Sequence, residues 1–135
     1  MSIHHVTVPV RDYFESKRFY ERTLEPLGMC LLLDWPAGRK AWFGVRGEPS
    51  SLWLCESEAA GTLELTLDAG DSGSVESFHA AAVAAGARSE SEPGIRPEFN
   101  RYYYAARVRD PDGNSVEAMC DRAVAAGAVD EPVAA

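Results

Sequence analysis

The stretch Arg109-Asp110-Pro111-Asp112-Gly113-Asn114-Ser115-Val116-Glu117-Ala118 decides how this chain is read. Asp-Pro-Asp-Gly is a tight turn. The ring of Pro111 presets φ at the second position, and Gly113 takes a conformation that is costly for a residue with a side chain. The turn feeds an apolar run, Val116 to Met119, that has the character of a strand. Side chains alternate across a strand, so Glu117 points away from Val116 and Ala118. A carboxylate set in a strand of a compact domain is solvated, paired or bound to a cation, because burying it alone is expensive. Glu117 is therefore the first candidate for chemistry, and an ordinary solvent-facing glutamate is the plain alternative.

Working outward, one pattern occurs twice. Ile3 to Val10 reads as a strand with Val6, Val8 and Val10 on one face and His5 and Thr7 on the other. Asp12 then opens a helix as an N-cap, with Glu15 three residues on, and Phe14, Phe19, Tyr20 and Leu24 supply an apolar stripe. Pro26 and Gly28 end it. Three short apolar runs follow, Met29 to Asp34, Lys40 to Val45 and Ser51 to Glu56, separated by Gly/Pro/Ser turns. After Gly61, Leu63, Leu65 and Leu67 face one way and Glu64, Thr66 and Asp68 the other. Asp71-Ser72 caps a second helix, Ser74 to Ala85, with Val75, Phe78, Ala82 and Val83 available for packing. A strand near Ala87 to Ser89, a Pro/Gly loop from Glu92 to Asn100, and strands Tyr102 to Arg109 and Asn114 to Met119 complete it.

The fold class is thus α+β: two β-α-β-β-β modules, each a curved sheet with one helix on its back, pairing their sheets around a cleft. Asp12 and Asp71 lie 59 residues apart, as do Phe19 and Phe78, and His5 and Glu64. A histidine and a glutamate therefore occupy equivalent points of equivalent strands, opposite the aliphatic faces. Residues 1–121 are expected to form a single domain, with module one at 1–57 and module two at 60–121. Residues 122–135 are expected to be a loosely ordered tail.

The chain has 135 residues, of which 46% are hydrophobic and 25% charged, the balance of an ordinary globular protein. Its net charge of −8 argues against nucleic acid as a partner. No apolar run approaches the ~18 residues of a membrane span, so no membrane partner is expected either. The first residues lack the pattern of a secretory signal. Cys30, Cys55 and Cys120 show no Cys-x-x-Cys spacing and read as reduced thiols, which suits a cytoplasmic location.

His5-Val6-Thr7-Val8-Pro9-Val10-Arg11-Asp12, Phe19-Tyr20 followed by Leu24-x-x-Leu27-Gly28, and Asp110-Pro111-Asp112-Gly113-Asn114-x-x-Glu117 together resemble the vicinal oxygen chelate superfamily. That group includes glyoxalase I, extradiol dioxygenases, bleomycin-resistance proteins and fosfomycin-resistance enzymes. The resemblance covers the chain up to about Asp121. It implies metal ligands on the first and last strands of the modules. Carried over residue by residue, these are His5, Glu64 and Glu117; the fourth position falls on or beside Trp53, which cannot ligate. One imidazole and two carboxylates suit a divalent Mn, Fe, Ni, Co or Zn ion, and three protein ligands leave open positions for substrate. His5 hydrogen-bonded to a glutamate in a polar cleft without metal is the alternative.

Tyr103, Ala105, Arg107 and Arg109 share one strand face, which places Arg107 near Glu117 if that face lines the cleft. There Arg107 either binds a substrate anion or pairs with a glutamate, and beside a metal it would repel the ion. Trp53 and Tyr103 are further candidate substrate-binding residues. Two functions follow. One is a metal-dependent lyase, isomerase or dioxygenase acting on a small molecule with vicinal oxygens, with Glu117 and Glu64 as catalytic residues. The other is a non-catalytic, bleomycin-resistance-like protein that sequesters a cationic aromatic ligand. The superfamily commonly pairs two chains, so a homodimer is expected.

Overall fold

Alternating valines and leucines, interrupted by two capped helices, build two sheets that share one core. The computed structural model describes residues 3–61 and 63–121; the tail expected over 122–135 lies outside the described residues. Module one contains β1 (His5–Val10), α1 (Tyr13–Leu24), β2 (Cys30–Trp35), β3 (Lys40–Gly44) and β4 (Ser51–Glu56). Module two contains β5 (Glu64–Asp68), α2 (Ser72–Ala84), β6 (Arg88–Ile95), β7 (Tyr103–Arg109) and β8 (Ser115–Asp121). The sheet orders are β1-β4-β3-β2 and β5-β8-β7-β6, each with one parallel pair at the β1 or β5 edge and antiparallel pairs beyond it. The repeat expected from the 59-residue offset is thus the architecture itself.

Both helices are capped by the expected aspartates, Asp12 and Asp71, although α2 starts at Ser72, two residues before the expected Ser74. Asp12 accepts from the Glu15 backbone N–H at 3.1 Å and Asp71 from that of Ser74 at 2.7 Å, each satisfying a donor that the first helical turn leaves unpaired. The buried stripe of α1 is Tyr13, Ser16, Phe19, Tyr20, Thr23 and Leu24, so Phe14, expected inside, is instead 48% exposed under the Arg39 guanidinium. Tyr13 precedes Ser16 and Tyr20 on the same helical face, whereas Phe14 lies about 100° around the helix from Tyr13. Val83 of α2 is likewise exposed. β6 runs on to Ile95 and takes in Pro93 and Gly94, which were expected in a loop. Its register shifts between Ser89, Ser91 and Gly94, irregularities that an edge strand tolerates.

Helix α1 packs on β2 and β4, α2 on β6, β7 and β8, and the two helices touch each other. One continuous apolar cluster results, from Val8, Val10, Phe43 and Leu54 of module one to Phe78, Val108 and Val116 of module two. Among the described residues no hydrogen-bonded ladder joins the two sheets. The modules are fastened instead by the Asp110–Asn114 turn. Both Asp110 carboxylate oxygens are used twice. Oδ1 accepts the backbone N–H groups of Asp112 and Asn114, and Oδ2 accepts the Tyr20 hydroxyl at 2.6 Å and the Asn114 amide at 2.9 Å. The Asn114 amide also donates to the Pro9 carbonyl, and its oxygen accepts from Leu63 N–H. Asp112 accepts from Arg11 N–H and the Ser16 hydroxyl. Gly61 lies so close that a Cβ there would come within 2.6 Å of the Asp112 carbonyl oxygen, at a φ of +97° that itself favours glycine.

Tyr20→Phe removes one of four donors from a carboxylate that is 96% buried. We expect a loss of about 1–3 kcal/mol in unfolding free energy, measured by urea denaturation, with an unchanged slope if both modules still unfold together.

Candidate functional site

The helix-free faces of the two sheets carry equivalent positions with opposite chemistry. In module one, Thr7 on β1 pairs with Trp53 on β4, which pairs with Trp42 on β3. In module two, Thr66 on β5 pairs with Glu117 on β8, which pairs with Arg107 on β7. His5 and Glu64 start their strands opposite Ser51 and Ser115. Trp53 therefore stands in module one where Glu117 stands in module two, and Trp42 where Arg107 stands. The first of these correspondences was anticipated by placing the fourth ligand position at Trp53.

In module one the three side chains form a ladder of rings. His5 stacks on Trp53 with centroids 3.5 Å apart and planes 9° from parallel, and Trp42 stacks on Trp53 at 4.5 Å and 14°. Since β4 lies between β1 and β3, Trp53 is covered on both ring faces, and its indole N–H donates to the Ser51 hydroxyl at 2.8 Å. Trp53, expected to line a substrate pocket directly, thus presents an edge. His5 ends the ladder on edge strand β1, where its ring also meets the ring of His4 edge-on at 5.3 Å. His4, out of phase with His5 along the strand, bends back so that the two Nδ1 atoms lie 3.0 Å apart.

In module two the same positions form an ionic cluster. Buried Glu117 has a donor on each oxygen. Oε1 accepts the Tyr103 hydroxyl at 2.8 Å and the Thr66 hydroxyl at 3.2 Å, and Oε2 accepts Arg107 Nη2 at 3.1 Å. Arg107 Nη1 donates to the Ser115 hydroxyl at 2.9 Å and lies 3.6 Å from a carboxylate oxygen of Glu64, whose side chain is 81% exposed. Ser115 in turn donates to Glu90, which pairs with Arg109 at 2.9 Å. Of the predicted site residues, Glu64, Glu117, Arg107 and Tyr103 therefore meet on one face, whereas His5 and Trp53 belong to the other sheet. Thr66, Ser115 and Glu90 were not singled out from sequence. The first two follow from the strand pairing that the 59-residue offset implies; Glu90 lies in the stretch of β6 where register is irregular.

The divalent ion expected from His5, Glu64 and Glu117 does not fit these residues. Among the described residues, no three His, Cys, Asp or Glu side chains are grouped so as to hold a metal. The space between the two glutamates is held by a guanidinium, which keeps its charge at any pH a protein survives.

A slot opens between the free edges of β1 and β5. This cavity has a volume of about 270 Å³ and is lined mainly by apolar groups, among them Val6, Leu27, Met29 and Leu65. His5 and Thr66 face it from opposite sides, and Glu48 and Asp68 add carboxylates. Leu65 and Leu67, on the aliphatic face of β5, pack against the core and also line this slot.

Burial, the hydrogen bond to Glu117 and the charge of that carboxylate push the Tyr103 phenol up to about 12, against an ordinary value of about 10. The fold holds the neutral phenol, so the stability this provides is intact below about pH 10 and is lost as pH rises toward 12. In an ultraviolet phenolate titration, Glu117→Gln should move one tyrosine transition of the wild type to lower pH, though not back to 10, because burial persists.

The family model of the Glyoxalase/Bleomycin resistance protein/Dioxygenase superfamily matches residues 2–118. A glyoxalase/bleomycin resistance protein from Albidiferax ferrireducens is 28% identical, with a TM-score of 0.73 over 87% of this chain and 97% of that one. TnmS3, an antibiotic binding protein from a Streptomyces species, is also 28% identical, with a TM-score of 0.67 over 90% and 96%. A glyoxalase-related enzyme from Fulvimarina pelagi shares the fold at 17% identity, with a TM-score of 0.69 over 90% and 88%. No curated protein matches the chain. The match across nearly all the described residues, on a duplicated β-α-β-β-β framework closed by the Asp110–Asn114 turn, makes this chain a member of the glyoxalase/bleomycin resistance protein/dioxygenase superfamily.

Proposed function

We propose that this protein binds a flat, cationic aromatic small molecule without converting it. The observation that carries the reading is the ring ladder Trp42–Trp53–His5, whose His5 end lines an apolar slot. A planar ring entering the slot extends the stack on His5, and Asp68 and Glu48 at its lining suit a positive group. The volume suits a single compact ring system. The net charge of −8 draws such a ligand in, and the likeness to an antibiotic binding protein at 28% identity supports the same reading.

The second reading is a lyase, isomerase or dioxygenase working at Glu64 and Glu117, whose metal-dependent form the donor set described above does not fit. The Tyr103–Glu117 contact favours chemistry at this face, because a phenol hydrogen-bonded to a carboxylate is a proton-transfer pair. Arg107 opposes the metal, and the binding reading is the better supported of the two.

A homodimer is also proposed. β2 and β6, the edge strands away from the slot, each carry one ladder only, so each leaves a backbone edge for a second copy. Light scattering at micromolar concentration should give twice the mass of the chain; a monomer mass would remove the proposal.

Titration of tryptophan fluorescence with a planar cationic dye tests the binding reading. Saturable quenching is expected. His5→Ala should weaken binding roughly 2- to 10-fold, the worth of one aromatic pair. Asp68→Asn should weaken it and flatten its salt dependence. A dye that binds all three proteins equally would overturn the assignment.

A further inference from the structure

We propose that Arg107 is a built-in cation that takes the place of a divalent ion between Glu64 and Glu117, and so determines that this face rejects metals. The inference concerns the sheet opposite the ring ladder and does not depend on the ligand proposed above.

Register comes first. Arg107 and Glu117 are directly opposed on β7 and β8 with both side chains on the helix-free face, so the guanidinium reaches the carboxylate without crossing the sheet. Its two ends are held differently. Nη2 is 3.1 Å from Glu117, and Nη1 is fixed by the Ser115 hydroxyl at 2.9 Å while lying 3.6 Å from Glu64. One planar cation thus spans two carboxylates, which would otherwise repel each other or need an ion.

Saturation of Glu117 comes second. The oxygen that Arg107 leaves is already taken by Tyr103 and Thr66, so a metal would have to displace hydroxyl donors as well as the guanidinium. The fold does not demand an arginine here, because the equivalent position of module one holds Trp42. Persistence of charge comes third. A guanidinium does not lose its proton at any working pH, so an incoming dication meets a permanent positive neighbour.

The experiment is calorimetric titration of wild type, Arg107→Gln, Arg107→Lys and the Arg107→Gln/Glu117→Gln double variant with Mn²⁺ and with Zn²⁺, each protein first checked for folding by circular dichroism. Arg107→Gln should bind one of these ions roughly 10- to 100-fold more tightly than wild type, the range by which groups around a ligand tune metal affinity. The gain should vanish in the double variant, and the charge-retaining Arg107→Lys should fall well short of Arg107→Gln. A wild type that binds one equivalent as tightly as Arg107→Gln would overturn the proposal, as would a folded Arg107→Gln with no gain. A readout on the unaltered protein guards against misfolded variants. With one equivalent of Mn²⁺, the nuclear magnetic resonance signal of the Arg107 side chain should stay sharp. Paramagnetic broadening of that signal at this ratio would place the metal at the guanidinium and refute the idea.

Discussion

The carboxylate of Asp110 is the point on which the two halves of this protein depend. It is buried, both its oxygens are used twice, and one of its four partners, the Tyr20 hydroxyl, comes from the other module. A buried ionised group without those donors would be strongly destabilising, so the turn can adopt only the geometry that gathers them. That geometry sets Asn114 against Pro9 and Leu63, and Asp112 against the start of α1. With these fixed, the strand leaving the turn emerges beside β5, and Glu117 arrives opposite Thr66. The position of the polar face is therefore a consequence of how one aspartate is satisfied. The Tyr20 phenol is pushed well above its ordinary value by burial first and by Asp110 next, which keeps it protonated as the donor the turn needs.

Duplication then supplies two walls from one plan. The ladders that align Thr7 with Trp53 and Trp42 align Thr66 with Glu117 and Arg107. Rings at these positions stack across strands; charges at the same positions pair across strands. Both solutions satisfy the same spacing between neighbouring side chains on one sheet face, about 5 Å. Nothing in the backbone chooses between them, so the fold is indifferent to which wall is aromatic and which is ionic.

Much of this was legible in the sequence. Periodicity, caps and the 59-residue offset led to the eight strands, two helices and equivalence of His5 with Glu64. The meeting of Arg107 with Glu117 was also foreseeable, since alternation puts both on one face of adjacent strands. Other features depend on tertiary packing. Phe14 and Tyr13 are both aromatic at the start of α1, and only the direction in which the helix docks buries one and exposes the other. Pro93 and Gly94 signal a loop locally, yet an edge strand accommodates them through shifted register. That Trp53 would be sandwiched between His5 and Trp42 was not readable, because stacking depends on side-chain torsions that alternation leaves open.

The fastening turn has a consequence for the order in which the chain assembles. Tyr20 and Asp110 are 90 residues apart, and Arg11 and Asp112 are 101 apart, whereas the ladders of each sheet close within its own module. As the chain leaves the ribosome, module one has every strand of its sheet before module two has begun its own. It must wait with the inner side of α1 uncovered until the second helix and the fastening turn have emerged. Long-range closure of this kind is slow relative to local ladder formation. The interval between finishing the first sheet and docking the second is when this protein is most exposed to aggregation.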